Sequence, residues 1–130
     1  MRALRPGSHT MILLQQVLLS YASRTVCTDV PFWRMVATPV PELRARAESI
    51  VATAGMGSVV DVDSLVGAGS APGSTIASIG IALTGDQRAA LRAHTTPVIA
   101  RTVGNTTYLD MRSIAPADDH VVVEAMSRLR

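Results

Sequence analysis

The order of apolar and polar positions divides this chain into a helical first third and a strand-rich remainder. Between Thr10 and Ser23, Met11, Leu14, Leu18 and Tyr21 recur at helical spacing, with Thr10 placed to cap the helix. Residues Asp29 to Val36 hold Pro31, Phe32 and Trp33 and suit a packed turn or short helix. A second clear helix opens at Pro41, whose fixed φ fits a first turn, and Leu43, Ala47, Ile50, Val51 and Ala54 make its apolar stripe. Glu42 and Arg46 stand four apart in the favourable order, and Gly55 can close the helix.

Beyond Gly55 the period shortens. Ser58 to Val62 is short and β-branched, Ser64 to Ser74 is a Gly/Ser/Pro loop, and Thr75 to Leu83 alternates and is rich in Ile. Asp86 to His94 suits a short helix. The strongest hairpin signal is Gly104-Asn105 between Pro97–Val103 and Thr106–Arg112. A two-residue turn there pairs Val103 with Thr106, Arg101 with Tyr108 and Ile99 with Asp110. Val98, Ala100, Leu109 and Met111 then share the core face, and Arg101, Tyr108, Asp110 and Arg112 share the other. A last helix begins near Pro116, with Asp118 and Asp119 at its positive end, Arg128 and Arg130 at its negative end, and Val122, Ala125, Met126 and Leu129 inward. The pattern predicts an α+β fold: a small antiparallel sheet with helices on one side and no internal repeat.

Composition narrows the chemistry. Only Tyr21, Phe32, Trp33 and Tyr108 are aromatic, so the core must be aliphatic. All 12 basic residues are arginines, and arginine stays protonated, so no side chain here can form a Schiff base or serve as an amine base. The net charge is +2 and the arginines are dispersed, without the basic stripe and stacking aromatics of nucleic-acid modules. Cys27 is the single cysteine, which fits a reducing cytoplasm and a small hydrophobe better than a nucleophile. His9, His94 and His120 lack metal-ligand spacing, so no metal site is expected. The apolar stretch from Met11 to Leu19 is too short to span a bilayer.

Three features stand above this background. Arg2 and Arg5, three residues apart, can converge on one tetrahedral oxyanion, or they are solvated charges in a leading tail. The run from Val66 to Gly73, with Gly67, Gly69, Ser70 and Gly73, can turn amides toward an anion or simply connect two strands; it matches neither a P-loop nor a dinucleotide fingerprint. Arg101 and Arg112 can hold a carboxylate or phosphate, or they can pair with Asp110 between them.

Taken in order, these segments resemble the C-terminal part of bacterial selenocysteine synthase, the L-seryl-tRNA(Sec) selenium transferase. The matching text is Arg2-Ala-Leu-Arg5, Thr10 and the Leu-rich helix to Tyr21, Val30-Pro-Phe-Trp-Arg-Met35 and Pro41-Glu-Leu-Arg-Ala-Arg-Ala-Glu48. It continues through Gly67-Ala-Gly-Ser-Ala-Pro-Gly73, Pro97-Val-Ile-Ala-Arg101 and Leu109-Asp-Met-Arg-Ser-Ile114. The chain departs from the family at Pro6-Gly7-Ser8, where an acidic residue and a lysine are usual, and at Gln15, where an acidic residue is usual.

The resemblance implies the small C-terminal domain of a fold-type I pyridoxal phosphate enzyme that converts seryl-tRNA(Sec) to selenocysteinyl-tRNA(Sec) with selenophosphate. On that basis residues 1–130 form one small domain, with 1–54 a lead-in segment and helices and 55–130 an α+β core. The large cofactor-binding domain, whose lysine precedes the Arg2 run, is absent. Arg2 and Arg5 would contact the selenophosphate oxyanion, Arg112 first and Arg101 second would hold substrate, and the glycine loop would lie near the domain junction. The implied partners are the tRNA, selenophosphate, the large domain and further copies of the enzyme, in the cytoplasm. The chain alone is expected to bind no cofactor, to carry no catalytic residue and to be inactive. The alternatives are a stand-alone tRNA- or protein-interaction module and a non-functional remnant.

Overall fold

A computed structural model describes residues 6–67 and 73–129. The chain forms two compact units, Met1–Ala37 and Thr38–Arg130. Arg2, Arg5, Gly69, Ser70 and Arg130 lie outside the described residues.

The first unit holds three helices: α1 (Ser8–Ala22), α2 (Val26–Asp29) and α3 (Pro31–Ala37). α1 begins two residues before the expected Thr10. Its cap position falls to Gly7, which offers no side-chain bond. Arg24, at φ 59°, turns the chain from α1 into α2. The Ser20 and Thr25 hydroxyls then both donate to the Asp29 carboxylate, which fixes that turn. Trp33 donates its indole N–H to the Tyr21 hydroxyl and meets Phe32 edge to face, with ring centroids 5.1 Å apart.

The second unit carries α4 (Val40–Ala54), β1 (Ser58–Leu65), β2 (Thr75–Thr84), α5 (Arg88–Arg92), β3 (Arg101–Val103), β4 (Thr106–Asp110) and α6 (Asp119–Ser127). The four strands form one sheet in the order β1-β2-β4-β3, with every neighbouring pair antiparallel. α4 closes as its sequence predicts, with Gly55 at φ 66° donating its N–H to the Val51 carbonyl. The sequence groups α4 with the lead-in segment, but it packs in the sheet-bearing unit. Leu43, Ala47, Ile50 and Ala54 are buried there with Ile79, Ile81, Leu83, Leu109, Met111, Val122, Ala125 and Met126. That core is wholly aliphatic, as the scarcity of aromatics requires. Together these elements make an α+β domain with a small antiparallel sheet.

Two features depart from the expected hairpin. The turn at Gly104-Asn105 pairs Arg101 with Tyr108, Thr102 with Thr107 and Val103 with Thr106, but the ladder ends there and Ile99 does not pair with Asp110. Pro97 has no N–H to give, and the Val98 N–H goes to the Leu91 carbonyl instead, so the chain before Arg101 docks on α5 rather than on β4. The second strand also stops early. Asp110 accepts the Arg112 N–H at 3.1 Å and bends Met111–Ser113 into a 3-10 turn, which buries Arg112 instead of leaving it on the strand's outer face.

The chain leaves α4 through Gly57, at φ +87°. A Cβ there would stand 3.0 Å from both the Ile81 Cγ2 and the Leu83 Cδ2. Gly57→Ala adds left-handed strain to that crowding and should cost about 1–3 kcal/mol. Thermal unfolding followed by circular dichroism checks it, with a fall in Tm of about 4–8 °C per kcal/mol expected for a domain of this size.

Candidate functional site

Two of the arginines singled out in the sequence, Arg101 and Arg112, meet at one end of the sheet. Arg101, on the edge strand β3, is exposed; its guanidinium carbon lies 5.9 Å from the Tyr108 ring centroid, and one N–H reaches the Asp63 carbonyl at 3.3 Å. Arg112 is 7% exposed and donates to the Thr38 carbonyl at 2.8 Å and the Ala77 carbonyl at 2.6 Å. Asp63 and Ala77 are themselves cross-strand partners in β1 and β2. Both guanidinium groups therefore bind the main chain of one residue pair. The glycine-rich connection leaves the sheet from these same two strands, its ends joined by the Val66 N–H and the Ser74 carbonyl. Gly73, at φ +77°, needs the freedom only glycine has. Gly67 stands at the other end of that connection.

Asp110 plays a different part from the one its position suggested. Its carboxylate accepts the Ser64 and Ser78 hydroxyls as well as the Arg112 N–H, so it ties β1, β2 and β4 together beneath the arginines. Ser64 and Ser78 are buried, and their hydroxyls are satisfied by this carboxylate. Neither serine was singled out in the sequence, where isolated Ser in strands carries no signal beyond composition.

The two arginines thus differ in what they offer. Arg112 is fixed and buried on main-chain oxygens, which suits a positioning role. Arg101 is exposed, is held by one long bond and an aromatic face, and can turn its planar donor fork to an incoming carboxylate or phosphate. Three other described arginines pair with carboxylates in the fold. Arg46 binds Asp119 through two nitrogens at 2.9 and 2.6 Å, not Glu42 as its spacing suggested. Arg44 pairs with Asp61. Arg88 bonds Asp86 and holds that carboxyl well below the usual range, and the Thr102 hydroxyl also donates to it, which anchors the start of α5 beside β3.

Among the described residues no group of three or more His, Cys, Asp or Glu could hold a metal ion, and no helix is long and apolar enough to cross a membrane.

The sheet, the helices on its face and the paired arginines define a small α+β domain with an arginine-lined end. A family model for L-seryl-tRNA selenium transferase matches residues 1–115, and the chain belongs to that family. It is 28% identical over 139 aligned positions to the L-seryl-tRNA(Sec) selenium transferase of Caldanaerobacter subterraneus subsp. tengcongensis. That alignment takes in 98% of this chain but only 30% of the relative, so the chain spans less than a third of that relative's length.

Proposed function

We propose that this chain is the C-terminal part of a pyridoxal phosphate-dependent selenium transferase, acting with a cofactor-bearing large domain to convert L-seryl-tRNA(Sec) to selenocysteinyl-tRNA(Sec). The observation that carries the proposal is the meeting of Arg101 and Arg112 on the Asp63–Ala77 pair at the root of the glycine loop. A family whose substrates are a seryl ester on an anionic tRNA and an oxyanion selenium donor needs such donors.

These 130 residues contain no lysine, so they offer no side-chain amine to anchor the cofactor covalently. The chain's own part is to bind and orient. Arg101 turns toward substrate, Arg112 holds the sheet end on which Arg101 rests, and Arg2 and Arg5 receive the selenophosphate oxyanion. The glycine loop, including Gly69 and Ser70, lies against the large domain. The assembly works in the cytoplasm as a homo-oligomer.

Complementation tests this reading. The Caldanaerobacter relative would be truncated to remove the third that this chain matches, and selenocysteinyl-tRNA formation measured with and without the chain added in trans. Restored turnover is expected. Arg101→Gln should then lower kcat/KM about 10–150-fold, the loss of one charge-assisted contact of about 1.5–3 kcal/mol. A stable complex without turnover, or turnover indifferent to Arg101→Gln, would refute the roles assigned here.

A further inference from the structure

We propose that the cleft between Pro97–Ile99 and Ser113–Ala115 receives an extended, basic segment of the cofactor-bearing domain, which adds a short strand there. The inference rests on the transferase reading above and names a contact through which the two parts meet.

The cleft exists because the hairpin splits. Had the β3–β4 ladder continued past Arg101 and Tyr108, Ile99 would face Asp110. Instead the Val98 N–H turns to the Leu91 carbonyl, and β4 ends in the Met111–Ser113 turn. The space left open measures about 380 Å³, and Val98, Ile99, Ile114, Asp118, Val121 and Val122 are among the residues that line it.

Three features of the cleft suit a polypeptide strand. Along a strand the main-chain groups of successive residues turn to opposite sides. Val98 gives its N–H to α5, so the strand period carried back from Arg101 turns the Ile99 N–H and carbonyl to the side that β4 has left. Neither group has a hydrogen-bond partner among the described residues, and Ile99 is 65% exposed. Next, the floor is apolar: Val98 and Val122 are buried and still reach the cleft, which gives an aliphatic side chain a seat. Finally, the exposed Asp118 stands at the start of α6 without capping it and forms no ion pair among the described residues. Its carboxylate is open to a lysine or arginine, and it repels phosphate.

Position selects the partner. Ile99 precedes Arg101 by two residues and Ser113 directly follows Arg112, so a segment seated here lies beside the arginine-lined end. The cofactor-bearing domain has to approach that end for the arginines to meet its substrate. The aligned relative supplies ample chain for it, since this chain matches only 30% of its length. A second copy fits poorly. The long outer strand it could offer, β1, carries Asp61 and Asp63 and no cation, which would set like charge against Asp118.

Hydrogen exchange tests this, on the chain alone and with the Caldanaerobacter relative lacking the matched third. The complex should slow exchange at the Ile99 amide at least ~10-fold. Ile99→Pro removes the donor at an exposed position and should weaken the complex about 10-fold, and Asp118→Lys should weaken it about 3–10-fold at low salt. Circular dichroism melts should show both variants folded. On the chain alone, a peptide of alternating valine and lysine should shift the Ile99 amide resonance, and one of valine and glutamate should not. A complex that restores turnover, yet leaves Ile99 exchange unchanged and ignores both variants, overturns the inference and leaves the transferase reading standing. No complex at all refutes that reading, and this partner with it. Concentration-dependent protection of Ile99 in the chain alone overturns the inference in favour of a second copy.

Discussion

Leu109→Ala is expected to remove about 3 kcal/mol from the stability of the unit Thr38–Arg130, the largest loss any single aliphatic truncation here should cause. Leu109 is fully buried and lies opposite Ile81, also fully buried, in the β2–β4 ladder. The cost has two parts. The lost methyl groups forfeit their transfer energy, and a cavity remains wherever neighbours cannot close in. Collapse is hindered at this site because β4 is paired to β2 through Leu109 itself and to β3 as far as the adjacent Tyr108, so its backbone cannot move inward without straining a ladder. The β2 backbone passes close by at Gly80, where an added Cβ would stand 3.1 Å from the Leu109 carbonyl oxygen. Equilibrium urea unfolding checks the figure, with the midpoint lowered and the slope unchanged. Leu109→Met, which roughly conserves volume, should cost less than about 1.5 kcal/mol. A loss under 1 kcal/mol for the alanine variant would mean that the core can relax around the cavity.

The element order was legible in the sequence because each element carries a local signal. Gly104-Asn105 fixed the register of the hairpin, and Gly104 does adopt the positive φ, 60°, that such turns need. Pro41 and Gly55 bracketed α4 for equally local reasons. What the pattern did not reveal was competition for backbone hydrogen bonds. Periodicity extended β3 back to Pro97, but the Val98 N–H is taken by Leu91, a partner supplied by another element. It extended β4 to Arg112, but the Asp110 side chain intercepts that residue's N–H. An Asp two residues ahead of a strand's last position is a signal for such a turn, and it could have been weighed. The candidate arginines were legible as residue types on the hairpin. Their convergence was not, because it depends on Asp63 and Ala77, which come from the β1–β2 hairpin and carry no mark in the sequence. β1 itself runs through Ser64 and Leu65, where serine and the approach to the glycine run disguise the strand.

Arg46 shows the same limit most fully, and its removal is the second large effect expected. Four positions after Glu42 it suggests a surface pair worth a few tenths of a kcal/mol. Instead its guanidinium crosses to Asp119 at the start of α6 with two bonds and donates to the carbonyls of Ile114 at 2.9 Å and Met111 at 3.5 Å. The side chains of Arg46 and Asp119 are 13% and 27% exposed, so the pair is only partly screened by water. Breaking a buried pair by removing one partner costs about 3–5 kcal/mol, and the residual exposure reduces this to about 2 kcal/mol for Arg46→Ala. Arg46→Lys should recover little of it, because an ammonium cannot reach both carboxylate oxygens and a carbonyl in one plane. A double-mutant cycle with Asp119→Asn should return about 1 kcal/mol of coupling, measured by chemical denaturation. The consequence for the site is more specific than the loss of stability. Met111 and Ile114 bracket Arg112, so Arg46 clamps the turn that aims Arg112 at Ala77. Arg46→Ala should therefore speed hydrogen exchange at the Arg112 and Ile114 amides well beyond the global change, while the amides of the β1–β2 ladder follow global unfolding alone. Uniform acceleration across the sheet would show that Arg46 stabilises the fold without holding the arginine-lined end in place.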